Sequence, residues 1–111
     1  MNKIVLVKEG ESSKKFEWRL IQKDEKMLLS DAENLCKEGG WEVGSEEHLK
    51  AIQEQFPEEA AMGPVIAIGP TYGAGMKRPY SLQGGEIETH KLQYWIYLFE
   101  SCCRYLSVRK V

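Results

Sequence analysis

The sequence has few cysteines, little net charge and no long hydrophobic run, and each shortage excludes a class of protein. Three cysteines in 111 residues are too few, and odd in number, for a disulfide framework. A formal charge of −2 with interspersed signs gives no basic footprint for nucleic acid. No stretch approaches the roughly 20 apolar residues of a membrane span, and the first apolar run meets Lys8 too early for a secretion signal. We therefore expect one cytoplasmic domain over 1–111, with neither nucleic acid nor membrane as a partner.

The first third of the chain predicts two strands and a helix. Residues 4–7 are an aliphatic run, and residues 16–22 alternate large apolar and polar side chains with a period of two. We expect these strands to form a hairpin with a loop of about eight residues, whose register the sequence leaves open. Ser30 and Glu33 fit a capping box at the start of a helix, and the pair Gly39-Gly40 is typical of a helix exit.

The rest of the chain predicts a second helix, a buried strand, a long loop and two closing strands. Ser45 is a candidate cap for the second helix, which must end before Pro57. Residues 64–68 form a short apolar run that indicates a buried strand. Residues 69–90 are rich in glycine, proline and tyrosine and predict a long loop, a feature that is usually functional. Residues 92–99 and 103–111 are expected to be strands, the first covered on both sides.

Several stretches of the sequence carry a family resemblance. Residues 29–41 (Leu-Ser-Asp-Ala-Glu-Asn-Leu-Cys-Lys-Glu-Gly-Gly-Trp) and the closing segments Tyr94-Trp95-Ile96 and Cys103-Arg104-Tyr105 resemble the C-type lectin-like superfamily in its bacterial and phage branch. The resemblance implies an α+β fold with two helices packed on a small antiparallel sheet and a long loop. It also implies a disulfide from Cys36 to Cys102 or Cys103, whereas a cytoplasmic location favours reduced thiols.

The departures from that family concern its metal and sugar chemistry. Members that bind sugars through calcium carry Glu-Pro-Asn or Gln-Pro-Asp in the long loop and Trp-Asn-Asp on a late strand, and neither pattern is present here. A calcium site needs six to eight oxygen ligands, and the late part of the chain has no Asn or Asp. Zinc is disfavoured because the adjacent Cys102 and Cys103 point to opposite faces of an extended segment. We expect a calcium-independent protein with no metal and no cofactor.

A thiol nucleophile is the main catalytic alternative. Cys102 or Cys103 could act with His48 or His90 as base in a thiol-dependent enzyme or redox protein, but no spacing in the sequence brings these groups together. We therefore assign no catalytic residue and expect the chain not to be an enzyme. A surface lectin-like receptor-binding module is a further alternative.

The remaining feature is the long loop on a compact scaffold. Tyr and Trp beside Arg are typical of protein-binding hot spots. We therefore expect a non-catalytic module that engages a protein partner through residues 69–90, a class that includes inhibitors of host enzymes encoded by phages and mobile elements. The candidate binding residues are Tyr72, Met76, Lys77, Arg78 and Tyr80.

Overall fold

The computed structural model describes residues 3–9, 11–69, 71–72, 76–77, 80–83, 86–89, 98–99, 101 and 103–111 and shows a mixed α+β fold. The helices are α1 (Leu29–Lys37), α2 (Glu46–Gln55) and α3 (Pro57–Ala60), and a 3₁₀ turn follows α1 at Glu38–Gly40. The strands are β1 (Lys3–Glu9), β2 (Ser12–Gln22), β3 (Met27–Leu28), β4 (Glu42–Val43), β5 (Val65–Ala67), β6 (Thr71–Tyr72), β7 (Met76–Lys77), β8 (Tyr80–Gln83), β9 (Glu86–Thr89), β10 (Leu98–Phe99) and β11 (Arg104–Lys110).

Strand β11 is the centre of the main sheet. The described strands of this sheet follow the order β1-β2-β11-β5-β8-β9, and β4 pairs with β11 beyond the end of β5. Neighbours are antiparallel except β11 and β5, which are parallel. The expected small antiparallel sheet is confirmed only in part, because the described residues place seven strands in this sheet and one neighbouring pair is parallel.

The two main helices cover opposite faces of this sheet, which we call the α2 face and the α1 face. Successive residues of β5 and β11 alternate between two buried clusters, as the period of two requires. The α2-face core contains Val5, Val7, Phe16, Trp18, Leu49, Ala51, Ile52, Ala60, Val65, Ala67, Leu82, Leu106 and Val108. The α1-face core contains Leu29, Ala32, Cys36, Ile66, Ile68, Cys103 and Tyr105.

The N-terminal hairpin is longer than the sequence indicated. Its ladder runs from the pair Lys3–Trp18 to the pair Glu9–Ser12, so only two residues separate the strands. The expected loop of about eight residues is wrong. Polar residues near the turn continue the ladder because they lie on its exposed part, where a lysine or serine side chain meets water without disturbing the backbone pairing.

The start of α1 also differs from the expected capping box. The helix begins at Leu29, with Leu28 as its N-cap and no side-chain cap, so Ser30 lies inside the first turn. The cause is the strand β3, which pairs with β10 and leads directly into the helix. The expected exit is confirmed, because Gly39 and Gly40 have φ of 74° and 83°, a conformation that favours glycine.

Segment 69–90 contains strands where a single long loop was expected. Strand β6 pairs with β7, and the hairpin of β8 and β9 joins the main sheet through β5. Leu82 is fully buried, and Tyr80 and Ile87 pack partly buried on the α2-face core, which explains why β8 and β9 are drawn into the sheet. Of the expected strand 92–99, only Leu98–Phe99 lies within the described residues.

No helix among the described residues is long and apolar enough to cross a membrane.

Candidate functional site

On the α1 face, the hairpin β1–β2 and the neighbouring end of β11 present six side chains, which we call the hairpin face. The strand register places them in two rows across β1, β2 and β11. One row is Ile4, Glu17 and Arg109. The other is Leu6, Lys15 and Val111, whose amide donates to the Lys15 carbonyl at 3.2 Å. An apolar column on β1 therefore lies beside a charged column on β2.

The hairpin face is exposed because α1 does not reach it. Helix α1 packs against β11, β4 and β3, and β1 lies at the outer edge of the sheet beyond them. Ile4, Leu6 and Val111 are 38%, 45% and 70% exposed, although all three are aliphatic. Single exposed aliphatic residues need no explanation, but neighbours such as Ile4 and Leu6 form an apolar patch of the kind found at contact sites.

A tryptophan with two arginines borders this surface. The guanidinium groups of Arg19 and Arg109 lie 4.4 and 4.5 Å from the centre of the Trp41 ring, within the range of cation–π attraction. Arg109 also donates from Nε and Nη2 to the two carboxylate oxygens of Glu17, at 3.2 and 3.1 Å. Glycine at positions 39 and 40 turns the chain so that Trp41 can lie over the sheet. These contacts fix Arg109 and Trp41 in place, so a partner would meet an ordered surface.

The outer edge of β1 is capped at one residue. The side-chain amide of Gln55, the last residue of α2, donates to the Leu6 carbonyl at 2.8 Å and accepts from the Leu6 amide at 3.1 Å. This pair of bonds imitates the pairing of a neighbouring strand. It blocks strand addition at Leu6, so recognition here is expected to use the hairpin face rather than the strand edge.

A cleft of about 670 Å³ opens next to Trp41, at the edge of β2 where β1 begins. Its lining residues are Lys3, Trp18, Arg19, Leu20, Trp41, Glu59, Met62 and Arg104. The lining thus combines three cations from three strands with two tryptophans and one carboxylate. Lys3 forms an ion pair with Glu59, and its ammonium lies 5.0 Å from the centre of the Trp18 ring.

The two arginines of the cleft are held by backbone carbonyls. Arg19 donates to the Glu38 carbonyl at 3.0 Å. Arg104 donates to the carbonyls of Glu59 and Gly63 at 3.1 and 2.8 Å, which ties β11 to the end of α3. Among the described residues neither guanidinium has a carboxylate within ion-pair distance, so these contacts orient both positive charges without neutralising them.

Ser45 and His48 resemble a nucleophile and a base but form a helix cap. Ser45 Oγ lies 2.8 Å from His48 Nδ1, while the Ser45 amide donates to the same nitrogen at 3.0 Å. The Ser45 hydroxyl also receives the His48 amide and lies 3.0 Å from a Glu47 carboxylate oxygen. The predicted cap at Ser45 is confirmed, with a histidine in the place that a glutamate usually takes.

The cysteines of the α1-face core are thiols. Cys36 and Cys103 belong to the same buried cluster without a disulfide between them. Burial raises the pKa of the Cys36 thiol to about 11, partly offset by the positive charge of Arg19. His48 packs edge-on against Phe16 on the α2 face, so the structure does not bring it to Cys103. The other members of the catalytic alternative, His90 and Cys102, lie outside the described residues.

The predicted binding residues are spread over segment 69–90. The backbone of Tyr72 pairs with that of Met76, and the backbone of Lys77 pairs with Thr71. The partly buried side chain of Tyr80 packs against the α2-face core. Arg78, and the side chains of Tyr72, Met76 and Lys77, lie outside what the structure describes, so their role as contacts stays a prediction.

Sequence reasoning missed both the hairpin face and the cleft. The alternation of Ile4 and Leu6 with Val5 and Val7 could not show which pair is buried, because all four are aliphatic. The cleft gathers residues from positions 3 to 104, which only the strand register brings together.

The chain matches no protein-family model, no curated protein and no solved structure.

Proposed function

We propose that this chain is a non-catalytic protein-binding domain and that the hairpin face is its main contact surface. The observation that carries the proposal is the exposure of Ile4 and Leu6 next to each other on β1, with Val111 exposed across Lys15 on the same face. Burying such aliphatic side chains against a partner removes apolar area from water, the dominant favourable term in protein association.

The polar neighbours of these residues fit the same role. The ion pair of Glu17 with Arg109 and the nearby Trp41 supply the ordered polar and aromatic groups that surround an interface centre. Because the two strands are fixed by a full ladder, little ordering entropy is lost on binding.

Three finer features belong to the same proposal. Segment 69–90 is a second contact region, a cytoplasmic inhibitor of a host enzyme is the favoured biological class, and the fold is C-type lectin-like. The pairing of the N-terminal strand β2 with the C-terminal strand β11 supports the fold, since the resemblance expects these strands to meet. The lack of a disulfide at Cys36 supports a reducing compartment.

The test is affinity capture from source or host cells with two surface variants compared in parallel. Ile4→Thr/Leu6→Thr removes the apolar column and keeps residues that favour strands. Tyr72→Ala/Met76→Ala alters segment 69–90. We expect the first variant to lose a protein that wild type retains, and the second to weaken its retention less.

A matched control uses an equally apolar residue elsewhere. Met62 is 77% exposed and lies outside the hairpin face, so Met62→Thr should capture the same protein as wild type. Equal capture by the hairpin-face variant and wild type would overturn the assignment of the surface. Retention of only a glycan or nucleotide would overturn the proposal of protein binding.

A further inference from the structure

Three residues that line this cleft each carry a buried N–H group with no acceptor among the described residues. The groups are Nε1 of Trp18, Nε of Arg19 and Nε of Arg104. Trp18 is only 3% exposed, so its indole N–H cannot simply turn to bulk water. Buried donors are normally satisfied, so these groups point to acceptors that the described residues do not supply. Because Trp18 and Arg19 are consecutive on β2, their side chains leave opposite faces of the strand, and the cleft reaches both around the strand edge.

The lining of the cleft also carries more positive than negative charge. Lys3, Arg19 and Arg104 contribute three positive charges, and Glu59 is the one carboxylate of the lining. Glu59 is already paired with Lys3, while both arginines are held by carbonyls. The cleft is therefore locally positive in a chain of net charge −2, and backbone carbonyls already orient its two arginine side chains.

We propose that this cleft binds a small oxyanion, the carboxylate or phosphate group of a low-molecular-weight ligand. Arg19 and Arg104 would supply charge-assisted hydrogen bonds, and Trp18 would donate from Nε1. Trp41 and Leu20 would contact the rest of the ligand, because they add apolar surface to the same lining. A volume of about 670 Å³ suits a ligand with an organic body rather than a bare ion.

Access to the buried donors requires side chains to move but not the backbone. The side chains of Lys3 and Glu59 are 44% and 31% exposed, and Met62 is 77% exposed. These three side chains form the mobile part of the lining, since each can change rotamer into water. The proposal is independent of protein binding, because none of the six residues of the hairpin face lines the cleft.

The experiment is a titration of the full chain with citrate and, separately, with inorganic phosphate, each matched to sodium chloride of equal ionic strength. Proton–nitrogen NMR spectra follow the indole signal of Trp18 and the Nε–H signals of Arg19 and Arg104. The spectrum of Trp18→Phe assigns the indole signal. We expect saturable shifts of all three signals with at least one of the two anions and none with chloride.

Two variants separate the cleft from general charge effects. Arg19→Gln should weaken the binding of the anion by about tenfold or more, as expected for a charged hydrogen-bond donor. Lys50→Gln is the charge control, because this exposed lysine of α2 pairs with Glu46 and does not line the cleft. It should leave the dissociation constant of the anion within about twofold.

Each outcome of these titrations either supports or overturns the proposal. Saturation by citrate alone assigns a carboxylate ligand, saturation by phosphate alone assigns a phosphate ligand, and both are support. Shifts that never saturate, or that chloride reproduces, overturn the proposal and assign the donors to water. If Arg19→Gln fails to fold, Trp18→Phe takes its place, since it removes the indole N–H and keeps an aromatic ring in the core, and unchanged affinity in that variant also overturns the proposal.

Discussion

The two faces of the main sheet differ in how completely they are buried. On the α2 face, thirteen buried residues form one apolar core from β1 to β8. On the α1 face, seven buried residues form a smaller core that includes two cysteines, and the hairpin face beside it stays open. The same strands thus carry a large core on one side and an exposed surface on the other.

The α1 face also contains a buried polar contact. Ser107 is fully buried at the centre of the sheet, and its hydroxyl donates to the Cys36 carbonyl of α1 at 2.6 Å. This bond fixes the position of α1 on the sheet, as the two bonds between Gln55 and Leu6 do for α2. The faces therefore differ in the size of their buried cores, and we expect stability to depend mostly on the α2 face.

The largest expected effect tests this division directly. Leu49→Ala on α2 removes a fully buried side chain, and Leu29→Ala on α1 removes the same atoms from a site that is 5% exposed. We expect Leu49→Ala to lower the free energy of unfolding by about 3 to 5 kcal/mol and Leu29→Ala by about 2 kcal/mol, since the larger core leaves a cavity that collapses less. Urea unfolding of both variants measures the difference. Equal losses would contradict the division into a major and a minor core.

The next prediction uses the thiol of the smaller core. Because burial raises the pKa of Cys36 from 9.0 to about 11, the native chain keeps this proton between those pH values and the unfolded chain releases it. The unfolded chain then binds fewer protons, so the free energy of unfolding falls as pH rises from about 9 to 11. The loss from this group alone is at most about 3 kcal/mol.

Comparison with Cys36→Ala isolates that contribution. The variant lacks the thiol but keeps every other ionisable group, so its stability should fall less steeply above pH 9. Chemical unfolding at a series of pH values provides the measurement. Parallel pH profiles for the two proteins would show that Cys36 ionises as an ordinary exposed thiol, and rapid alkylation of Cys36 in the native chain would agree with that result.

A third prediction compares Gly40 and Gly44, two glycines in the connection between α1 and α2. A Cβ on Gly44 would lie 2.6 Å from Leu106 of the α2-face core, whereas a Cβ on Gly40 would meet nothing within 4 Å. Gly44→Ala should cost about 2 kcal/mol through overpacking, and Gly40→Ala about 1 kcal/mol through its φ of 83°. Thermal and urea unfolding report both values. The reverse order would mean that Leu106 can shift more easily than its burial indicates.

The sequence predicted the secondary structure best where side-chain pattern and local signals agree. The strand 64–68, the glycine exit at 39 and 40 and the cap at Ser45 are examples, because each depends on residues close together in the chain. The hairpin of β8 and β9 had such a signal in Gly84-Gly85 between two short alternating runs, but the surrounding glycines and prolines favoured a loop.

Long-range features could not be predicted in the same way. The start of α1 depends on β3, which pairs with residues seventy positions further along the chain. The choice of which side of β1 is buried depends on α2, and the cleft depends on the register of three strands. These features arise from tertiary packing, and a single sequence does not encode packing partners in any local pattern.

The smallest expected effect on stability lies within a single strand. Val5 and Ile4 are neighbours on β1, but Val5 is fully buried on the α2 face and Ile4 is 38% exposed on the α1 face. Val5→Thr buries a hydroxyl and should cost about 1 to 3 kcal/mol, whereas Ile4→Thr should change the free energy of unfolding by less than about 0.5 kcal/mol. Urea unfolding of the two variants at neutral pH measures both. An exposed residue that contributes so little to folding is available for a partner, so a large loss for Ile4→Thr would mean that the hairpin face is part of the fold's own core.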